Sequence, residues 1–239
     1  MGDDLKKQLI EDAGIYGISI DEEQANCLLK HLALVLKENE TTNLTRVTDP
    51  KTAVDIHIVD SLLITKYVND GCRYLDIGSG AGYPGIPVAV VRKTNTLLID
   101  SVGKKTRALE RMVFELGLDQ DIEVLQCRAE ELALTSPAFD CVTARAVSSV
   151  DVLLEYGAPL LRIGGILILS KGPAEELDDH ELRGVCELCG MDEVSRETFE
   201  LPHNRGTRRI FIFKKTGEPK IHLPRRVGMA TKKPLREKV

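Results

Sequence analysis

The sequence predicts an α/β domain built on a mostly parallel, doubly wound sheet. Three observations predict it. A run of glycines follows a short apolar segment at 73–87, R-Y-L-D-I-G-S-G-A-G-Y-P-G-I-P. Short apolar segments recur at 96–100, 122–126, 139–143 and 166–170. Stretches of helical periodicity separate them, and strands alternating with helices at this spacing form a parallel sheet covered on both faces.

The elements follow in order. Residues 3–13 read as a short helix. Ser19 and Glu22 form an S-x-x-E capping box ahead of a longer helix, in which Leu28, Leu32 and Val35 share one face. Asn43, Leu44 and Thr45 lie in a polar connection. Asp49-Pro50 starts another helix, with Asp as cap and Pro at the first position. Its apolar stripe is Val54, Ile58 and Leu62, and His57, Asp60 and Ser61 share a face at i, i+3 and i+4. Taken alone, His57 reads as a structural histidine.

The first strand is 73–77, with its helix near 84–92. The second strand, 96–100, precedes an amphipathic helix from Lys104 to Leu116 that Gly117 terminates. The third and fourth strands are 122–126 and 139–143. A helix covers about 150–162, and Gly164-Gly165 turns the chain into the fifth strand, 166–170. A helix over about 174–189 and strands near 193–199 and 208–214 bring the sheet to seven. Three parts are expected: an N-terminal helical extension (1–70), the α/β domain (71–215) and a C-terminal tail (216–239), mobile on its own.

With 239 residues, 43% hydrophobic and 29% charged, the chain reads as an ordinary soluble globular protein. It has no apolar run long enough to cross a membrane and no secretory leader at its start, and it is read as a cytoplasmic monomer. Six cysteines fall mostly in apolar or helical runs, as buried reduced thiols do. Cys186 and Cys189 form a lone C-x-x-C, and no metal site is expected from it. Charge is uneven. From Arg205 onward twelve Lys/Arg face two acids, a net of +10, which leaves −15 on residues 1–204 of a chain at −5 overall. An acidic body with a basic tail suggests a polyanionic partner reached by the tail, ahead of the alternative of a solubilising terminus.

Ligands of such sheets sit beyond the carboxyl ends of the strands. The residues there are Gly78 to Gly82, Asp100 and Ser101, Arg128 to Glu130, Arg145, and Lys171. Closely spaced glycines let the backbone approach a ligand. The dinucleotide fingerprint G-x-G-x-x-G would put its third glycine at position 83, which is Tyr83. The spacing is instead Asp76-x-Gly78-x-Gly80-x-Gly82, which resembles motif I of class I S-adenosylmethionine methyltransferases. A carboxylate such as Asp76 can attract the ammonium of the methionine moiety, and Asp100 is placed to hydrogen-bond a ribose hydroxyl. Glu130 reads either as a contact in this site or as a solvated acid at a helix start.

A wider resemblance covers about residues 25–235. N-L-T (43–45), H-x-x-D-S-L (57–62), L-D-I-G-S-G-A-G-Y-P-G-I-P (75–87), D-S-x-x-K-K (100–105), R-A-E (128–130), A-R-A (144–146) and K-G (171–172) occur in this order. Together they resemble the ribosomal RNA small subunit methyltransferase G family, also called glucose-inhibited division protein B. The segment P-R-R-V-G-M-A-T-K-K-P-L (224–235) is similar to the C-terminus of some members. Ala144 departs from the Ser usual in the family, and Tyr83 from Phe or Leu.

The resemblance implies a Rossmann-like, class I S-adenosylmethionine-dependent fold. It also implies methylation of N7 of a guanine in 16S rRNA of the small ribosomal subunit. It implies cofactor contacts at Gly78, Tyr83, Ala129, Glu130 and Arg145. The residues themselves add Asp76, Gly80, Asp100 and Ser101. His57, Asp60, Lys104, Lys105, Arg128 and Lys171 are the candidate RNA-facing residues, with Arg145 and Lys171 the candidates for positioning. The rivals are a nicotinamide oxidoreductase, a small-molecule methyltransferase, and a non-catalytic ribosome-binding factor on the same fold.

Overall fold

A computed structural model describes residues 2–136, 138–173 and 178–235. Its centre is a seven-stranded sheet in the order β3-β2-β1-β4-β5-β7-β6. The strands are β1 (Arg73–Ile77), β2 (Asn95–Asp100), β3 (Ile122–Gln126), β4 (Phe139–Arg145), β5 (Leu161–Lys171), β6 (Met191–Glu200) and β7 (Thr207–Lys215). β7 is antiparallel to both β5 and β6, and the other pairings are parallel. β1 lies between β2 and β4, with Leu75 level with Leu97 on one side and Val142 on the other. The order reverses at β1, and a crevice opens there beyond the strand ends.

Both faces of the sheet's inner strands β1, β2, β4, β5 and β7 are buried, so these strands send apolar residues to either side, while the edge strands β3 and β6 are largely exposed. Tyr74, Leu98, Cys141, Ile168, Ile210 and Ile212 point into one cluster. That face is covered by α1 (Asp3–Ile15), α2 (Glu22–Thr42), α5 (Gly85–Arg92) and α6 (Gly103–Leu116), with the helix that runs from Pro50 to Thr65. The stripes Leu28, Leu32, Val35 and Val54, Ile58, Leu62 are fully buried there. Leu75, Ile99, Val142, Leu167, Phe211 and Phe213 point to the other face, against α8 (Val150–Gly157) and α9 (Asp179–Cys189).

The chain departs from its sequence reading at several places, among them the helix expected at 150–162, which ends at Gly157 before β5 begins at Leu161. Asp21, not Ser19, caps α2: its carboxylate accepts from the Gln24 amide at 2.8 Å, and Gln24 returns a bond to Asp21 N at 3.0 Å. Asp and Ser are equivalent as caps, and the buried Ile20 fixes which of them stands at the helix mouth. The helix from Pro50 is α3 (Pro50–Ala53), a π segment Val54–Val59 and α4 (Asp60–Thr65). Gly164-Gly165 is no turn between elements. It lies inside β5, where the β4 pairing slips between Phe139–Leu161 and Cys141–Ile166. A β-carbon on Gly165 would lie 3.0 Å from the carbonyls of Arg162 and Asp140. Of the helix expected at 174–189, residues 174–177 lie outside the described residues, and α9 is observed from Asp179.

The last departure is the tail, whose described residues 216–235 fold onto the domain. Thr216 and Gly217 donate to the Gly190 carbonyl, and Lys220 N to that of Leu188. Arg225 pairs with the buried Glu155, and α10 (Met229–Lys232) buries Ala230. Leu223 and Leu235 pack on the apolar cluster of that face. The tail has no periodicity because individual side chains and backbone amides anchor it, rather than a helical stripe.

Candidate functional site

Two pockets open beyond the carboxyl ends of the central strands. The first, of about 330 Å³, is lined by Gly78 after β1, Asp100 and Ser101 after β2, and Arg128 to Glu130 after β3. The second, of about 600 Å³, is lined by His57, Asp60, Arg145, Ser170, Lys171 and Arg208. Ala146, Val147 and Ser148 line both.

The glycine turn shapes the first pocket. Gly78 has φ +71°. A β-carbon on it would meet Val147 Cγ2 at 2.5 Å, so the turn lies directly under the 146–148 wall. Gly78 N and Ser79 N both donate to the Ile99 carbonyl, at 2.8 and 3.0 Å. The Asp100 carboxylate accepts from Gly80 N at 3.2 Å and from Val102 N at 2.9 Å. Each carboxylate oxygen keeps a further lone pair, so a hydroxyl donor in the pocket can still be bound.

Asp76 and Tyr83, expected at the cofactor, are placed elsewhere. Asp76 is wholly buried under the turn: Oδ2 accepts from Gly85 N at 3.1 Å and Oδ1 from Thr143 Oγ1 at 2.9 Å. It therefore organises the glycine turn and does not face the pocket. Burial pushes its carboxyl up to about 7, against the opposing pull of the Thr143, Ser79 and Gly85 hydrogen bonds. Gly85 has to be glycine for the same reason, since a β-carbon there would lie 2.2 Å from Leu98 Cδ2. Tyr83 is 4% exposed and lies between His31 and His57, with ring centroids at 4.5 and 5.0 Å. Gly80 serves the site through its bond to Asp100.

Arg145 closes β4 and lies in the second pocket, not the first. Its Nη1 donates to the Ile56 carbonyl and to Asp60 Oδ2, both at 3.0 Å, and its guanidinium lies 5.5 Å over the Tyr83 ring. Asp60 Oδ2 also accepts from Arg208 Nε at 2.9 Å, and Oδ1 from Ser170 Oγ at 3.2 Å. Asp60, expected to face RNA, is 2% exposed and works as the anchor of two arginines. The next residue, Ala146, has φ +57°. A left-handed alanine costs on the order of 1 kcal/mol. It redirects the chain so that 146–148 stands between the pockets.

Lys171 is 6% exposed, and its ammonium donates to the Ser148 carbonyl, which holds that wall from the other side. His57 Nε2 bonds Thr45 Oγ1 at 2.8 Å. Burial first, then the Arg145 charge, pushes His57 down to about 4, so the ring is neutral at pH 7. Ser61 turns inward, its hydroxyl bonded to the His57 carbonyl at 2.5 Å. Of the cations expected to meet RNA, Lys105 and Arg128 line the first pocket, and Lys104 is exposed beside it.

Two arrivals from outside the parallel strands were not singled out from sequence. Arg208 enters the second pocket from the antiparallel β7, where parallel-strand logic does not look. Thr231 reaches the first pocket from the tail. Glu130 Oε1 accepts from Gly228 N at 2.8 Å, so this acid joins the pocket to the tail. Cys127 also lines the first pocket, whereas Cys186 and Cys189 are buried on α9, their thiols pushed up to about 12 by burial.

Residues 24–207 match a family model described as GidB, rRNA small subunit methyltransferase G. A ribosomal RNA small subunit methyltransferase G of Carboxydothermus hydrogenoformans is 38% identical over 226 residues, covering 92% of this chain and 95% of that protein. One of Acetivibrio thermocellus is 34% identical over 97% of both. Among solved structures, the Bacillus subtilis M1A22 tRNA methyltransferase TrmK aligns with a TM-score of 0.53 at 17% identity over 66% of each chain. The [4+2]-cyclase SpnF aligns with a TM-score of 0.54 at 16% identity, over 66% of this chain and 81% of that one. Likeness of this second kind fixes the fold and leaves the chemistry to the site.

Proposed function

The chain belongs to the rRNA small subunit methyltransferase G family, and from that premise we propose that it methylates N7 of a guanine in the 16S RNA of the small ribosomal subunit. It is an S-adenosylmethionine-dependent rRNA methyltransferase. The observation that carries the reading is the wall of Ala146, Val147 and Ser148, which belongs to two pockets at once. One pocket holds the cofactor, and the base enters the other.

The first pocket fits S-adenosylmethionine. Asp100 offers carboxylate lone pairs to a ribose, Ile77, Ile99 and Val102 offer an apolar slot, and Gly78 lets the backbone come close. When bound, the cofactor would supply a sulfonium-borne methyl group for a nitrogen lone pair, with S-adenosylhomocysteine as the leaving group. Guanine N7 carries a free lone pair, so the chain has to position the base and need not deprotonate it. That division of labour fits the second pocket. His57 stays neutral at pH 7, and Arg145 and Arg208 are fixed on Asp60 as donors. Such donors suit the O6 of guanine. Catalysis then comes from alignment, to which the Lys171–Ser148 bond contributes by fixing the wall.

Purified protein with methyl-labelled S-adenosylmethionine, offered small subunits and, separately, naked 16S RNA, tests the reading. Label that maps to a single guanine N7 by chemical cleavage is expected. Label on another atom, or in no RNA with cofactor binding intact, would overturn the N7 assignment.

A further inference from the structure

Thr231 lies in the wall of the first pocket although the rest of that wall comes from 77–156. The segment that carries it is latched beside the pocket. Gly228 N donates to Glu130 Oε1 at 2.8 Å. Arg225 makes a two-pronged pair with Glu155, Nε to Oε1 at 2.7 Å, and also donates to the Lys233 carbonyl at 2.9 Å. Ala230 is 1% exposed in the same segment. Glu130 therefore has two neighbours, a pocket on one side and a backbone amide of the tail on the other. Both parts carry cations. Lys105 and Arg128 stand in the pocket wall, and exposed Lys232 and Lys233 follow Thr231 in the chain.

We propose that residues 223–235 form a strap that is part of the cofactor site, that Glu130 is the positioning residue latching it, and that RNA lying across strap and pocket rim tightens cofactor binding. The inference rests on the assignment of the first pocket to S-adenosylmethionine. A ligand packed against Thr231 needs the strap seated, so binding and seating favour each other. RNA phosphates bridging Lys105 and Arg128 to Lys232 and Lys233 favour the same seated arrangement. Coupling of this kind is reciprocal: whatever RNA does to cofactor affinity, cofactor does to RNA affinity.

The test is hydrogen exchange and titration calorimetry on the full chain with S-adenosylhomocysteine. Amides 228–233 should exchange about fivefold or more slowly with the ligand bound, and small subunits should tighten the ligand by a similar factor. Arg225→Lys keeps a charge on Glu155 but loses the two-pronged grip, and it lies outside the first pocket. It should weaken the ligand about fivefold. Glu130→Ala should weaken it too, and Glu130→Gln, which still offers an acceptor to Gly228, should restore it. Unchanged exchange at 228–233 with the ligand bound, or unchanged affinity in Arg225→Lys, would overturn the strap. Unchanged affinity with small subunits present would overturn the coupling. A chain that binds no S-adenosylhomocysteine at all would remove the pocket assignment itself, and the strap with it.

Discussion

Asp60 holds Arg145 at 3.0 Å across 85 residues of sequence, and it is 2% exposed where it does so. The same carboxylate oxygen takes Arg208 at 2.9 Å. One buried acid thus sets the positions of two arginines in the pocket assigned to the base. Asp60→Ala leaves both cations without that partner and should lower stability by about 3 kcal/mol, read by urea denaturation. Methylation should fall further than the loss of folded protein explains. An Asp60→Ala protein as stable as the original would show that water replaces the carboxylate.

Lys171 is expected to act through the wall, not through the cofactor. Lys171→Ala removes the donor to the Ser148 carbonyl and loosens 146–148. A small misplacement of reacting groups costs about a hundredfold in rate. The turnover number should fall by that order while S-adenosylhomocysteine affinity, measured by calorimetry, changes little. An equal loss in both would place Lys171 at the cofactor.

Asp76 gives a pH signature. Its carboxyl is pushed up to about 7 in the folded chain, from about 3.8 unfolded, mainly by burial. Between those values the folded state holds a proton that the unfolded state has released. Stability contributed by this group therefore falls as pH rises from about 4 to about 7, and levels off above. Asp76→Asn keeps an acceptor for Gly85, puts an amide donor in place of the acceptor facing the Thr143 hydroxyl oxygen, and should remove that slope. Denaturation midpoints of the two proteins should converge at pH 4 and separate toward pH 8 in favour of the variant.

Gly78→Ala tests the turn itself. The position has φ +71°, and the new methyl would meet Val147 Cγ2 at 2.5 Å. The left-handed backbone alone costs on the order of 1 to 2 kcal/mol. Cofactor affinity should fall more than tenfold, because Val147 must shift and it belongs to both pockets. Unchanged affinity would show that the wall yields freely.

What could be read from the chain was local. The strands at 73–77 and 122–126 are observed at those bounds, because a run of apolar residues between turn signals carries its own evidence. Asp100 and Ser101 line the first pocket as the strand-end rule requires. Asp76 misled because strand position says that a residue is near the site, and not which way its side chain faces. Arg208 and Thr231 were missed for a different reason: one arrives from an antiparallel strand and the other from a single helical turn in the tail, too short to carry a periodicity that points inward. The Asp60–Arg145–Arg208 grouping joins three distant stretches, and only the assembled sheet brings them together.

The first pocket has a birth order. Its walls are drawn from residues as far apart in the chain as Ile77 and Thr231. A chain emerging from a ribosome can pair β1, β2, β3 and β4 well before residues 223–235 exist, yet its pocket stays short of one wall. The site becomes complete only once Thr231 has been made, so a polypeptide cut short near residue 220 would carry the sheet without the finished site.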